Sequence, residues 1–261
     1  MIVAIYILAG IFAGISAGLF GVGGGIIVVP VLVFAFESQG LPAEVLFHMA
    51  VATSLATIVF TSASSIWSHH KMGSVMWSVC RPMSIGIAIG AVLGVWTVMQ
   101  VNGDVLKKLF GVFALIVALR MISQKGKTGD SNMVSWPVLS LVGFFIAWIS
   151  AIFGIGGGTI SVPFLSRFRL EMKQVVGTAA ACGFPIAFVG SLSNMWLGQN
   201  VESLPEWTIG FVYLPALLGI AVSSVYCAKL GAGYAHRLPS SLLRTLFAIC
   251  LMLVGVKFLF F

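Results

Sequence analysis

Phe20-Gly21-Val22-Gly23-Gly24-Gly25 lies inside an apolar run and returns 133 positions later as Phe153-Gly154-Ile155-Gly156-Gly157-Gly158. Each copy is followed at the same offset by a proline, Pro30 and Pro163. In that register Pro82 matches Pro215 and Gly86 matches Gly219. With small insertions Thr53 pairs with Thr178, Leu109-Phe110 with Leu246-Phe247, and Arg120 with Lys257. So many matches in one order along the chain indicate an internal duplication. The halves are 1–122 and 136–261, joined by a Gly-, Ser- and Lys-rich linker at 123–135.

The solvent for these halves is lipid. Only 8% of the residues are charged and 59% are hydrophobic, with a mean hydropathy of +1.10, whereas soluble domains carry about 25% charged residues. Apolar segments run over Ile2–Phe36, Val45–Trp67, Trp77–Met99, Leu106–Met121, Trp136–Leu165, Val175–Leu197, Ile209–Ala228 and Leu242–Phe261. None alternates as a barrel strand would, so the fold class is an all-α integral membrane protein. The net charge of +7 is spread singly through short loops. It reads as a topology signal facing an anionic leaflet and not as a nucleic-acid surface. Cys80, Cys182, Cys227 and Cys250 sit in or beside apolar runs with no CxxC and no histidine at ligand spacing. They are expected to be small core residues, with no metal and no cofactor. The first apolar run lacks a basic n-region and an A-x-A site, so no cleavable signal is expected.

The charges decide how the segments cross. If all eight cross once, the fourteen basic residues divide six to eight and show no bias. If the two glycine-broken segments turn back at their glycines, one side holds only Lys107, Lys108 and Lys257, with Glu37, Glu44, Glu202 and Glu206. The other side holds the remaining eleven: Lys71, Arg81, Arg120, Lys125, Lys127, Arg167, Arg169, Lys173, Lys229, Arg237 and Arg244. An excess of that size is what cytoplasmic loops carry. Between Gly158 and Arg167 there is only about 13 Å of helix, too short for a crossing of about 30 Å. Each half is then a re-entrant hairpin plus three transmembrane helices, an odd number of crossings. The halves are expected to be inverted repeats, with both termini periplasmic and the linker cytoplasmic.

Non-helical backbone at membrane depth needs protein or a polar cavity around it. Helices restarting at Gly25 and Gly158 would aim N-termini at the midplane, where unpaired N–H groups and the helix dipole attract an anion. The candidate contacts are therefore Gly21, Gly23, Gly24 and Gly25 with Gly154, Gly156, Gly157 and Gly158. The competing reading is close helix packing through small residues. Neither copy is a dinucleotide or P-loop fingerprint, since the later glycine and the GK[ST] are missing. Thr53, Ser54 and Thr178, early in the second segment of each half, add hydroxyls, although such hydroxyls commonly bond back to their own helix. Asn194 is an amide in an apolar segment and should face the interior. His48 is either a proton relay or an interfacial residue. His69 and His70 fall in a predicted solvated loop beside Lys71, and Arg81 is expected to snorkel to headgroups. No Asp or Glu lies deep in a crossing segment.

The motifs GVGGGIIVVP and GIGGGTISVP, the TSL and GTA stretches after them, and the segment LKKLFGVFALIVALRM resemble the sulfite exporter TauE/SafE family, also called the 4-toluene sulfonate uptake permease family. The resemblance extends over essentially the whole chain. It implies a multi-pass carrier of the bacterial inner membrane moving sulfite, sulfonates, sulfoacetate or related organic anions, with the glycine motifs as substrate contacts. Ala179 stands where the first half has Ser54, so the two halves of such a site are chemically unequal. The partners expected are a small anion, the lipid bilayer and, as an admissible one, a second copy in a homodimer. The competing classes are an anion channel, whose filter can also use glycine backbone, and a membrane-embedded enzyme or redox protein. The latter lacks buried nucleophiles or ligand clusters here, so no enzymatic activity is expected. A reporter fused after Glu37 should read as periplasmic; a cytoplasmic signal there would overturn the turn-back topology.

Overall fold

In a computed structural model the chain is described over residues 2–20, 23–123, 134–234 and 240–260. Gly21 and most of the 123–135 linker lie outside these residues. The described chain is almost entirely helical: α1 Ile2–Phe20, α2 Gly25–Ser38, α3 Ala43–Lys71, α4 Trp77–Met99, α5 Gly103–Ser123, α6 Trp136–Ile152, α7 Gly158–Leu165, α8 Met172–Leu197, α9 Leu214–Tyr234 and α10 Ser240–Phe260. Among the described residues, α3, α4, α8 and most of α9 are long and apolar enough to span a bilayer. The chain is thus a multi-pass all-α membrane protein.

The glycine motifs break the first and fifth apolar segments where the sequence places the breaks. Gly24 and Gly157 precede α2 and α7 with φ of 77° and 73°. A residue with a Cβ would be strained by about 1–2 kcal/mol in that left-handed region. The first break turns the chain back: Gln39, just after α2, donates through Nε2 to the Tyr6 hydroxyl near the start of α1 at 2.8 Å. α7 is only eight residues long, about 12 Å, and ends at Leu165 in a core shared with Leu139 of α6.

The packing is intertwined. α1 runs along α9, α6 along α4, α5 along α10, and α3 along α8. Exchanging first-half helices for their second-half counterparts maps this set of pairs onto itself. Glycines set the closest approaches. A Cβ on Gly86 or Gly90 would fall onto the Ser140 or Phe144 carbonyl of α6, and one on Gly14 would lie 2.5 Å from the Ser224 carbonyl of α9. Close packing through small residues is therefore realised along these helix pairs by glycines outside the two motifs.

Two apolar cores lie toward opposite ends of the bundle. One gathers Tyr6, Phe36, Val45, Val98, Leu106 and Phe110, and the other Val79, Met83, Leu139, Leu165 and Phe168. α4 passes from the second, at Val79, to the first, at Val98. Lys107 of α5 meets Glu37 of α2 at 2.9 Å at the first end, and Lys257 of α10 lies 3.0 Å above the Phe34 ring. α3 is the most enclosed helix, with 89% of its most apolar stretch buried, against 39% for α9. Elsewhere large apolar side chains face outward, such as Ile85, Ile89 and Trp96 on α4 and Leu218, Val222 and Tyr226 on α9, as lipid contact requires.

Helix starts use cross-half hydrogen bonds. Met76, just before α4, donates its N–H to the Thr178 hydroxyl of α8 at 3.1 Å; Tyr213, just before α9, donates to the Thr53 hydroxyl of α3 at 3.0 Å. The matched threonines thus perform the same task, each satisfying a part-buried backbone donor at a helix start. The segment expected to be helical from Ile209 departs from that expectation. Thr208–Ile209 and Val212–Tyr213 form a small antiparallel hairpin turned at Gly210, whose φ is 54°, and α9 starts only at Leu214.

Gly90→Ala should destabilise the fold by roughly 1–3 kcal/mol through overpacking, read as a lowered unfolding temperature in detergent. Thr53→Val and Thr178→Val should each cost about 1–2 kcal/mol by stranding one N–H. Equal losses from the two are expected; a neutral Thr178→Val would contradict the capping role.

Candidate functional site

The breaks meet at the centre of the bundle. A Cβ on Gly23 would sit 3.1 Å from both the Gly156 Cα and Ile58 Cγ2. One on Gly25 would meet the Gly154 carbonyl and lie 3.0 Å from the Ile155 Cα. Backbone faces backbone here, which only glycine allows. α3 and α8 flank the junction: a Cβ on Gly23 or Gly25 would run into Ile58 of α3, and one on Gly183 of α8 would lie 2.5 Å from the Gly156 carbonyl. In the register pairing Thr53 with Thr178, Ile58 and Gly183 are counterparts.

At the second tip the Ile155 N–H is held by the Ser150 carbonyl at 2.9 Å, and the Gly157 carbonyl accepts from Ser161 and Ile160 at 2.8 and 3.0 Å. Among the described residues no acceptor engages the N–H groups of Gly156, Gly157 or Gly158. These donors and the α7 dipole make a local positive potential without any charged side chain. Around the same tip stand hydroxyls that have no partner among the described residues: Ser150 and Ser161, both fully buried, and Thr159. Their counterparts at the first tip are Ala17, Ile26 and Val28. The polar capacity of the centre is concentrated on the second half.

The sequence-derived residues divide by position. Gly23 meets Gly156 and Gly25 meets Gly154, whereas the Cβ positions of Gly24 and Gly157 face Ala13 of α1 and Ile186 of α8; Gly158 follows as the first residue of α7. Ser54 joins them by donating to the Gly154 carbonyl at 2.7 Å, fastening α3 to the second tip. Thr53 and Thr178 lie five residues from the junction on their helices, each with its oxygen turned to a helix start. Asn194 is eleven residues beyond Gly183, about 16 Å along α8. Its Nδ2 donates to the Gly190 carbonyl at 2.8 Å, and its Oδ1 has no partner among the described residues. The structure does not bring it to the tips.

A narrow gap opens between the tips, lined by Gly23, Gly156, Gly183, Ala17, Ala180, Ser62 and Ser65, and it is too tight to admit a water molecule. Ser62 and Ser65 were not legible as site residues, because α3 is rich in serine and threonine along its whole length. His69 departs from the solvated loop expected of it: α3 continues to Lys71 and His69 is 3% exposed. Arg81 is exposed.

His48 borders a second, open cavity of about 340 Å³ with Glu44, Trp96, Gln100 and Phe211. Its Nε2 lies 3.1 Å and 3.2 Å from the Val98 and Val101 carbonyls, so that nitrogen carries the proton and donates. Nδ1 is buried without a partner, and the ring packs on Phe211 with centroids 5.7 Å apart. This cavity is separate from the tip junction.

Comparison with known proteins agrees with this architecture. The family model described as "Sulfite exporter TauE/SafE" matches residues 6–258. A "Probable membrane transporter protein" of Haemophilus influenzae is 34% identical, with 96% of each chain covered. One from Methanocaldococcus jannaschii is 30% identical over 98% of this chain and 95% of its own length. A third, YunE of Bacillus subtilis, is 26% identical over 98% and 97%. No solved structure matches. With the family model matching nearly its whole length, the chain belongs to the sulfite exporter TauE/SafE family of membrane transporters.

Proposed function

We propose that the chain is a secondary transporter of small sulfur-containing or organic anions such as sulfite, a sulfonate or sulfoacetate, held at the glycine junction. The observation that carries this reading is the meeting of two helix-initiating glycine tips at the centre of the bundle, each with glycine N–H groups that no acceptor engages among the described residues. A tetrahedral or pyramidal oxyanion presents several acceptor oxygens to such donors. The buried polar residues among those described are hydroxyls, one amide and two histidines, so the anion would be bound by neutral donors and released without breaking a salt bridge.

In this reading the halves are inverted repeats. Its support is that the α1–α2 hairpin sits in the core containing Val98 of α4, and the α6–α7 hairpin in the core containing Val79. The tips then approach the midplane from opposite faces, in the pattern of carriers that alternate access around a central site. The protein resides in the inner membrane with both termini periplasmic; the basic bias of the other loops supports this. Export of an anion is assisted by an inside-negative potential, at about 2.3 kcal/mol per charge per 100 mV, which favours export or exchange as the mode.

Uptake of radiolabelled sulfite and sulfoacetate into liposomes tests the proposal. Wild type should show saturable flux stimulated by counter-substrate, whereas linear, non-saturating conductance would make the protein a channel. Gly24→Val and Gly157→Val should each reduce flux at least tenfold while the protein remains a monodisperse peak in gel filtration. Normal flux in both variants would remove the tips from the mechanism.

A further inference from the structure

The tip junction has two sides, and the structure treats them unequally. In the register pairing Thr53 with Thr178, Leu55 of α3 corresponds to Ala180 of α8, and Ser65 corresponds to Gly190. On one side Leu55 is seated against Gly190: a Cβ on that glycine would lie 3.0 Å from Leu55 Cδ1. On the other side the same arrangement is built from Ala180 and Ser65, and both line the gap. The space that Leu55 fills is therefore left open where alanine replaces leucine.

The open side carries a donor with nothing to donate to. Along α3, Thr57 donates to the Ser54 carbonyl, Thr61 to Thr57, Ser62 to Ile58 and Ser68 to Ser64, the usual fate of a hydroxyl in an apolar helix. Ser64 donates across to the Val225 carbonyl of α9. Ser65 is the exception: it is 1% exposed, lines the gap beside Gly156, and its Oγ has no partner among the described residues. Leaving a buried hydroxyl unsatisfied is destabilising, so its presence here points to an acceptor that is present at another stage. Three and four residues around it on the same face stand Ser62 and the buried His69, leading toward the Lys71 end of α3. The counterparts on α8 are Ala187 and Asn194.

We infer that Ser65 is a further substrate contact, a hydroxyl donor to an anion oxygen, and that the anion reaches the tips from the Lys71 end of α3 through the Ser65–Ala180 gap while Leu55 seals the opposite side. This inference rests on the tip junction being the anion site. In the conformation described the gap is closed, and its widening is the step that admits the anion.

Three variants test it. Ala180→Leu places on the open side the side chain that seals the other, and should cut sulfite flux at least tenfold. Ser65→Ala removes the donor without adding volume, and should raise the KM for sulfite at least fivefold. Ser65→Cys, with the native cysteines replaced, should react with a sulfonate-bearing methanethiosulfonate at least tenfold faster than Ala187→Cys; because this readout is labelling, it holds where Ala180→Leu fails to fold. Unchanged KM in Ser65→Ala, or equal labelling at the two positions, overturns the inference. If Gly24→Val and Gly157→Val still abolish flux in that case, the tip site stands and only the route is wrong. If those glycine variants transport normally, the tip site itself falls.

Discussion

Peptide groups with no partner cannot be left in hydrocarbon, and this constraint shapes the centre of the molecule. Each unsatisfied group there costs several kcal/mol. Two breaks in helical hydrogen bonding at depth are tolerable only if protein surrounds them. The chain meets that demand by placing each break against the other and closing α3 and α8 around the pair. The need for backbone to touch backbone at Gly23–Gly156 and Gly25–Gly154 accounts for the concentration of glycine. The glycine N–H groups that no described residue engages, at both tips, are thereby shielded from lipid.

The rest of the bundle supports that centre by cross-half contacts. Ser54 of the first half fastens the second tip, Thr53 holds the start of α9, and Thr178 holds the start of α4. The duplication has thus diverged in a directed way. The threonine caps are retained in both halves because both helix starts need them. The hydroxyls at Ser150, Thr159 and Ser161 have alanine, isoleucine and valine as counterparts. Ser54 has Ala179. Buried hydroxyls without a described partner have collected around one tip, while the pairing of helices maps onto itself.

Much of this was legible from the residues. The repeat, the helical class and the restart of helices at Gly25 and Gly158 follow from apolar segments interrupted by glycine clusters, which leave few alternatives in lipid. The individual site residues were less accessible. Thr53 and Thr178 were visible as a matched pair, but a sequence does not show whether a hydroxyl faces a guest or a neighbouring helix start 160 or 102 positions away. Asn194 was chosen for its polarity within an apolar segment, and its distance from the tips is set by where α8 crosses the junction. Ser65 was hidden among the other hydroxyls of α3, since its lack of a partner is a tertiary property. The hairpin at 208–213 was missed because Ile209, Phe211 and Val212 read as membrane helix, while Gly210 at positive φ turns the chain.

The exchange of partners between halves also bears on how the chain is made. The glycine face of α1, at Gly10 and Gly14, is matched to Ile220 and Ser224 of α9, some two hundred residues later. At synthesis rates of roughly 5–20 residues per second, α1 spends on the order of 10–40 s in the bilayer before its complement exists. During that interval its small-residue stripe faces lipid or whatever chaperoning surface the insertion machinery offers. The first half therefore lacks the packing partner of its own first helix, and the native bundle can close only when the last quarter of the chain has been inserted.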